Sequence, residues 1–133
     1  MRLVAAYFPE VNFQFAIQNV LALLVAVGGL GIVVAGGWSF RKAHTTVNPI
    51  YPQNTTSLVQ TGVYSLSRNP MYLGFLFILT GWGLALGSYL ALLVLPLYIF
   101  IMTRYQIRPE EKILRAKFKR TYQDYAARVR RWI

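Results

Sequence analysis

The 133-residue sequence contains no cysteine, one histidine and only four acidic residues. Without cysteine there is no disulfide framework, no thiolate nucleophile and no cysteine-ligated metal, and His44 alone cannot form a histidine cluster. We therefore predict no metal site. Charged residues are also scarce: they make up 14% of the chain, while 56% is hydrophobic, against about 25% charged in soluble domains. This composition indicates an integral membrane protein, and the length suits a single domain over residues 1–133.

The net charge of +10 could suggest a nucleic-acid ligand. Ten of the fourteen lysines and arginines, however, follow Thr103, so the positive charge belongs to one end of the chain. We interpret this basic tail as a segment that faces anionic membrane lipids, and we predict no nucleic-acid partner.

The first long apolar run lies over residues 19–40, after an interfacial lead-in over 1–18. It is long enough for one transmembrane helix. Its length, and the basic pair Arg41 and Lys42 at its end, argue against a secretory signal peptide. Close helix packing in lipid explains its glycines, which do not match a dinucleotide-binding fingerprint. Residues 41–68 contain many turn-forming residues and are predicted to be a cytoplasmic loop.

The uncharged run between Arg68 and Arg104 holds 35 residues. A single helix of that length would be about 52 Å long, whereas the hydrocarbon core of a bilayer is about 30 Å thick. Gly87 and Ser88 near its middle predict a turn between two short spans, at 69–86 and 89–103. This hairpin returns Arg68 and Arg104 to one membrane face, which the positive-inside rule makes cytoplasmic.

Residues 109–132 predict an amphipathic helix. Pro109 suits the first helical position, and Glu110 and Glu111 complement the helix dipole there. From Leu114 onward, apolar side chains recur every three or four residues and form one face. The predicted fold is therefore an all-α polytopic membrane protein. It has about three transmembrane helices, the last two forming a hairpin, and a C-terminal amphipathic helix on the cytoplasmic surface.

Residues 61–74 lie at the start of the uncharged run, and no other end of an apolar run in the chain is as polar. We call this segment the polar boundary. Arg68 lies four residues from both Tyr64 and Tyr72, so the three share a face if the boundary is helical. The hairpin brings this boundary to the same interface as the end of the last span and the two glutamates of the tail. Each residue type also has an ordinary explanation, since arginines snorkel to headgroups, tyrosines anchor at interfaces and acids begin helices. From these residues alone, the sequence indicates only a small polytopic membrane protein.

Three motifs together resemble the isoprenylcysteine carboxyl methyltransferase and phospholipid methyltransferase family of integral membrane enzymes. They are Leu-Val-Gln-Thr-Gly-Val-Tyr at 58–64, Arg-Asn-Pro-Met-Tyr at 68–72 and Arg-Pro-Glu-Glu at 108–111. The similarity covers residues 40–133. It implies transfer of a methyl group from S-adenosyl-L-methionine, held at the cytoplasmic interface, to a lipid-like or prenylated acceptor. A carboxylate of isoprenylcysteine type is the favoured acceptor, because a carboxylate nucleophile needs no general base whereas an amine must first lose a proton.

Site residues follow from this resemblance, position by position. The cofactor-binding residues it implies are Ser57, Leu58, Val59, Tyr64, Asn69, Pro70, Met71, Tyr72, Glu110 and Glu111. The arginines considered for orienting the substrate are Arg68, Arg104 and Arg108. Two family histidines are replaced, by Asn69 in the box and by Thr56 before residue 57. Gln106 stands at the spacing of the family's substrate-side arginine, so Arg104 or Arg108 would have to substitute for it.

Two other functions remain open at this point. An NADPH-dependent membrane reductase would have a similar helical pocket, with clustered arginines for the 2'-phosphate. A non-enzymatic membrane protein could use the basic tail to dock on anionic lipid or on a partner. Protein isoprenylcysteine, phospholipid amine and small isoprenoid acid all remain open as acceptors, and so does a homo-oligomeric state.

Overall fold

The computed structural model describes residues 1–9, 12–43 and 57–133, and these residues form helices joined by turns. No strand occurs within those ranges, although an isolated bridge joins Asn12 to Ser88. The all-α prediction is confirmed for this part of the chain. The greater part of the predicted loop, including His44 and Thr56, falls at 44–56 and lies outside the described residues.

Two helices precede the polar boundary. Helix α1 covers Arg2–Tyr7 and belongs to the lead-in, and helix α2 covers Gln18–Lys42 and contains the predicted apolar run at 19–40. At the start of α2, the side-chain amide of Gln18 donates a hydrogen bond to the carbonyl oxygen of Leu84 (2.7 Å). This bond ties the lead-in to the end of the next apolar helix.

The hairpin turns where the sequence predicted it. Its helices are α3 (Pro70–Leu86), α4 (Tyr89–Leu92) and α5 (Val94–Ile101). Gly87 ends α3 in the left-handed conformation (φ 61°, ψ 32°), which glycine adopts without a steric penalty. The Ser88 hydroxyl then accepts a hydrogen bond from the Ala91 amide (3.4 Å) and caps α4.

Helices α2 and α3 pack with their backbones in contact. A Cβ atom added to Gly74 would lie 2.6 Å from the carbonyl oxygen of Gly29, and one added to Gly81 would lie 2.6 Å from that of Ala22. A Cβ on Gly36 would lie 2.8 Å from the Met71 side chain. These distances leave no room for a larger residue. Gly29 and Gly36 of the first apolar run therefore serve helix packing, as the sequence predicted, whereas a Cβ added to Gly28, Gly31 or Gly37 would meet nothing within 4 Å.

The last apolar helix runs into the tail helix without a break. A π-helical turn at Met102–Ile107 joins α5 to α6, which covers Arg108–Arg128. Pro109 has no N–H to donate, and its ring crowds the carbonyl group four residues earlier, which accounts for the wider turn before it. Glu110 and Glu111 occupy the first turn of α6, as predicted.

The predicted helix over 109–132 is wrong at its C-terminal end, because α6 stops at Arg128. Val129 is extended (φ −118°, ψ 127°). Beyond it, the carbonyl oxygen of Arg130 accepts a hydrogen bond from the amide of Arg68 (3.0 Å), just before α3. Tertiary hydrogen bonds therefore take the place of those that a further helical turn would make.

The apolar face of the tail helix contributes to the protein interior. Tyr122 and Tyr125 are only 2% and 3% exposed, and the Tyr125 hydroxyl donates a hydrogen bond to the carbonyl oxygen of Tyr64 (2.7 Å). This part of α6 therefore packs against the polar boundary that precedes α3.

Two described helices are long and apolar enough to cross a membrane. One is α2, and the other is the helical stretch from Tyr89 to Arg128, which is apolar in its first half and kinked at Lys119 (φ 45°, ψ −119°). Helix α3 is also apolar but has only 17 residues. The helices and their composition identify a membrane protein.

Candidate active site

A cavity lies where the end of α2, the segment at 57–59, the start of α3 and the first turns of α6 meet. Its volume is about 120 Å³, which is smaller than the range of about 300–1,000 Å³ typical of small-molecule sites. Its walls are mainly apolar and aromatic, with a small number of charged side chains. The predicted hairpin is the reason that segments far apart in sequence meet here.

Ten of the predicted site residues line this cavity. They are Ser57, Leu58, Val59, Tyr64, Arg68, Asn69, Met71, Tyr72, Glu110 and Glu111. The two halves of the predicted site, the polar boundary and the glutamate pair, are thus in one place.

Three predicted site residues do not line the cavity. Pro70 is buried as the first residue of α3. Arg104 and Arg108 are exposed on the outer surface of the last helix. Arg108 instead borders a shallow surface depression, together with Glu111 and Arg131. Of the three arginines considered from the sequence, the structure brings only Arg68 to the cavity.

Tyr72 and Glu110 join the two halves of the site directly. The Tyr72 hydroxyl donates a hydrogen bond to Oε2 of Glu110 (3.3 Å) and also interacts with the side chain of Gln106. Burial raises the pKa of the Glu110 carboxyl to about 7; the Tyr72 hydrogen bond opposes this rise, and the nearby charge of Glu111 adds to it. Glu110 is therefore a carboxyl group that titrates near neutral pH inside an apolar cavity.

Tyr64 forms an aromatic wall of the cavity. It is 7% exposed, and its ring packs edge-to-face against Phe40 at the end of α2 (centroids 5.2 Å apart). Burial, followed by the negative charge of Glu110, raises the pKa of the Tyr64 hydroxyl. The hydroxyl therefore stays protonated at neutral pH and can donate a hydrogen bond.

Arg68 lies at the centre of a buried charge network. Its Nη1 is 3.1 Å from Oε1 of Glu111 and donates to the Tyr122 hydroxyl (3.1 Å). Arg131 contacts both oxygens of the same carboxylate, Nε at 2.9 Å and Nη2 at 2.8 Å. One carboxylate thus serves two guanidinium groups, which leaves the cluster with a net positive charge. The Nε of Arg68 is buried and has no hydrogen-bond partner among the described residues.

An unpaired buried donor is costly, so the orphaned Nε calls for an acceptor that the described residues do not provide. The cavity combines this donor with a titrating carboxyl group, a protonated tyrosine hydroxyl and aromatic walls. Such a set suits a ligand, or a pair of ligands, carrying both positive and negative charge. No cluster of three or more His, Cys, Asp or Glu side chains suited to a metal ion occurs in the described ranges.

Sequence reasoning missed several residues of the site. Phe40, Phe75, Leu114, Tyr122 and Tyr125 also line the cavity. The tyrosines were predicted only as part of the apolar face of the tail helix, although a buried hydroxyl group needs a hydrogen-bond partner and is a usable signal. Arg131 was missed because nothing in the basic tail distinguishes it from its neighbours.

Comparison with known proteins gives one family. The family model described as phospholipid methyltransferase matches residues 17–121. The protein-S-isoprenylcysteine O-methyltransferase of Saccharomyces cerevisiae is 41% identical over 134 residues, covering 92% of this chain and 53% of the yeast protein. A probable protein-S-isoprenylcysteine O-methyltransferase of Oryza sativa subsp. indica is 31% identical over 129 residues, covering 94% of this chain and 65% of the rice protein.

A shorter uncharacterized protein of Haemophilus influenzae is 43% identical over 63 residues, which is 47% of this chain and all of that protein. The chain thus spans between 53% and 65% of the yeast and rice relatives. No solved structure matches the chain.

Proposed function

The chain belongs to the phospholipid methyltransferase family, and from that premise we propose that it is a membrane methyltransferase. It would move a methyl group from S-adenosyl-L-methionine to a lipid-like acceptor, with a carboxylate of isoprenylcysteine type as the favoured one. The observation that carries the proposal is the contact between Tyr72 and Glu110. It joins the motifs at 68–72 and 108–111 at a cavity that residues of the motif at 58–64 also line.

The residues present fit the donor. S-adenosylmethionine carries a positively charged sulfonium, an ammonium and carboxylate pair, and a flat aromatic base. In our proposal, Glu110 faces the ammonium group of the donor, and Tyr64 packs beside the donor. The backbone and side chains at 57–59 and at 69–72 would line the remainder of the donor. Glu111 stays bonded to Arg131 in the charge network. The donor supplies an electrophilic methyl group.

Arg68 is the residue proposed to orient the acceptor. Its unpartnered Nε would donate to the acceptor carboxylate, and the net positive charge of the Arg68 cluster would attract it. In methyl transfer, a carboxylate oxygen forms the new bond to carbon as the bond from carbon to sulfur breaks, and no proton moves. Positioning and electrostatics can therefore carry most of the acceleration. Arg104 and Arg108, which lie outside the cavity, would have a lesser part or none.

We propose that the chain crosses the membrane three times, by α2, by α3 and by α4 with α5. At about 1.5 Å per residue, α3 is roughly 26 Å long and would need a locally thin bilayer. Basic residues at the end of α2, before α3 and along α6 all fall on one side of this arrangement, so the cavity would face the cytoplasm. The basic surface of α6 would then contact anionic headgroups.

A binding experiment on detergent-purified protein tests the proposal. S-adenosylhomocysteine and NADPH are titrated in parallel at about pH 8, and thermal stability is followed. We expect S-adenosylhomocysteine to stabilise the protein, by about 2.7 kcal/mol when its concentration is a hundredfold above Kd, and NADPH to have no effect. Stabilisation by NADPH alone would support the reductase instead. Stabilisation by neither would favour a non-enzymatic, lipid-docking protein.

A further inference from the structure

The shallow depression beside the first turns of α6 collects basic side chains from two parts of the chain. Arg108, Lys112 and Arg115 follow one another at intervals of four and three residues, so they share one face of the helix. The fourth basic residue is Arg131, which comes from the segment after α6. Tertiary folding therefore assembles this group, which is not a run of charges in the sequence. We call it the basic depression.

Hydrogen bonds outside the basic depression hold Arg131 in its place. The Asn69 side-chain amide donates to the carbonyl oxygen of Arg131 (2.9 Å). One residue later, the indole N–H of Trp132 donates to the Thr103 hydroxyl (3.1 Å). Neither Asn69 nor Thr103 lines the depression. The fourth cation is thus positioned by the fold, next to the three that α6 supplies.

The basic depression carries an excess of positive charge. Among the described residues, Glu111 is the one acid that lines it, and both of its oxygens are bonded to Arg131. Arg108, Lys112 and Arg115 form no ion pair with any described residue. Four basic groups and one acid leave a formal excess of three positive charges. Because like charges so close together repel one another, an anion bound between them would be favourable.

The basic depression lies at the depth of the lipid headgroups in the membrane arrangement proposed above. The helical stretch from Tyr89 reaches Arg108 with its twentieth residue. Twenty helical residues rise about 30 Å, the thickness of the hydrocarbon core. Lys112 is about 6 Å further along α6, within a headgroup layer of about 5–8 Å on each side of the core. The nearest anions at this depth are lipid phosphates.

We propose that the basic depression binds the phosphate group of one anionic phospholipid. Arginine binds phosphate oxygens through paired N–H groups, and lysine adds a compact charge. The acyl chains would remain in the bilayer beside α5, where Leu97 and Ile101 are exposed. A zwitterionic headgroup fits less well, because its ammonium group would meet the same cations. The lipid would anchor the first turn of α6, which carries Glu110, and this inference does not depend on methyl transfer.

Native mass spectrometry of the detergent-purified protein with phosphatidylglycerol tests this proposal. The parent should bind one molecule more tightly than any further ones. In Arg108→Gln combined with Lys112→Gln, the Kd for that molecule should rise about 25-fold, about fivefold for each cation removed. The matched control is Arg104→Gln combined with Arg120→Gln. It removes two equal charges from exposed positions outside the basic depression and should keep the parental Kd.

The same measurement separates a defined site from general attraction. Equal weakening in the two double variants, or no weakening in either, would overturn the proposal. Phosphatidylcholine bound by the parent as tightly as phosphatidylglycerol would overturn it too. Displacement of phosphatidylglycerol by millimolar inorganic phosphate would assign the site to free phosphate and contradict a lipid site.

The substituted side chains are exposed, so the variants should keep the parental unfolding temperature when no lipid is added. Lys112→Gln alone, expected to raise the Kd about fivefold, repeats the test with one substitution should the double variant unfold. A parental Kd in Lys112→Gln would then count against the site.

Discussion

Arg68→Gln lowers kcat/KM for an anionic acceptor by about 10²–10³-fold, the typical effect of removing one preorganised donor from an active site. We expect this because Arg68 is the one predicted arginine that lines the cavity, and its Nε has no partner among the described residues. Steady-state kinetics with N-acetyl-S-farnesylcysteine provide the measurement. The Kd for S-adenosylhomocysteine should change much less than kcat/KM.

Two further variants make this result interpretable. Arg120→Gln removes the same charge from an exposed position on α6 and should behave like the parent. Arg68→Lys keeps the charge but loses the planar fork, so it should recover only part of the activity. Arg68→Gln should also fold, at a cost of about 1–3 kcal/mol, because Glu111 keeps its fork with Arg131. Unchanged kcat/KM in Arg68→Gln would remove Arg68 from the mechanism.

The second large effect is on donor binding and its dependence on pH. The pKa of Glu110 is raised to about 7, so this carboxyl is mostly neutral below that pH and mostly ionised above it. A ligand with a positively charged end prefers the ionised form. The affinity for S-adenosylhomocysteine should therefore rise with pH through about 7, by up to tenfold per unit below the pKa. Isothermal titration calorimetry between about pH 6 and 8 gives this profile.

Glu110→Gln should flatten the profile and weaken binding at about pH 8 by tenfold or more. Glu111, which also faces Glu110, is held in ion pairs with Arg68 and Arg131, and the Tyr64 hydroxyl stays protonated in this range. Asp124→Asn, at an exposed carboxyl on α6, is the matched control and should keep the parental profile. A parental profile in Glu110→Gln would exclude Glu110 from the donor site.

Because of Glu110, the ligand-free protein should become less stable as the pH rises through about 7, while its affinity for the donor product increases. The folded-state pKa of about 7 is higher than the ordinary value of 4.5, so folding favours the protonated form. The stabilisation from this group is fully present below about pH 4.5 and is lost as pH rises through about 7. Affinity for the donor product and ligand-free stability therefore change in opposite directions over the same pH window.

Sequence reasoning located the helices and brought together the two halves of the site. The turn at Gly87 followed from a simple length argument, because 35 uncharged residues cannot cross a bilayer once. That turn, with the family resemblance, was enough to predict Tyr72 and Glu110 at one interface, where they form a hydrogen bond. Helix lengths and turn residues are local properties, which a single sequence reveals.

Other features that depend on tertiary contacts were not predicted. Helical periodicity continues through Trp132, but the chain leaves the helix at Val129 because backbone carbonyls there bond to residues near Arg68. The role of Arg131 is invisible in a tail where charges of one sign follow one another. Arg104 and Arg68 both flank the hairpin. Arg104, however, is exposed on the last helix and does not line the cavity, whereas Arg68 does.

The measurement that tests the central claim most directly is an experimental structure of the protein with S-adenosylhomocysteine bound. The account predicts that the ligand lies in the cavity between Tyr64, Tyr72 and Glu110, with its sulfur facing Arg68. A ligand bound elsewhere, or Tyr72 and Glu110 too far apart to contact the same molecule, would contradict it.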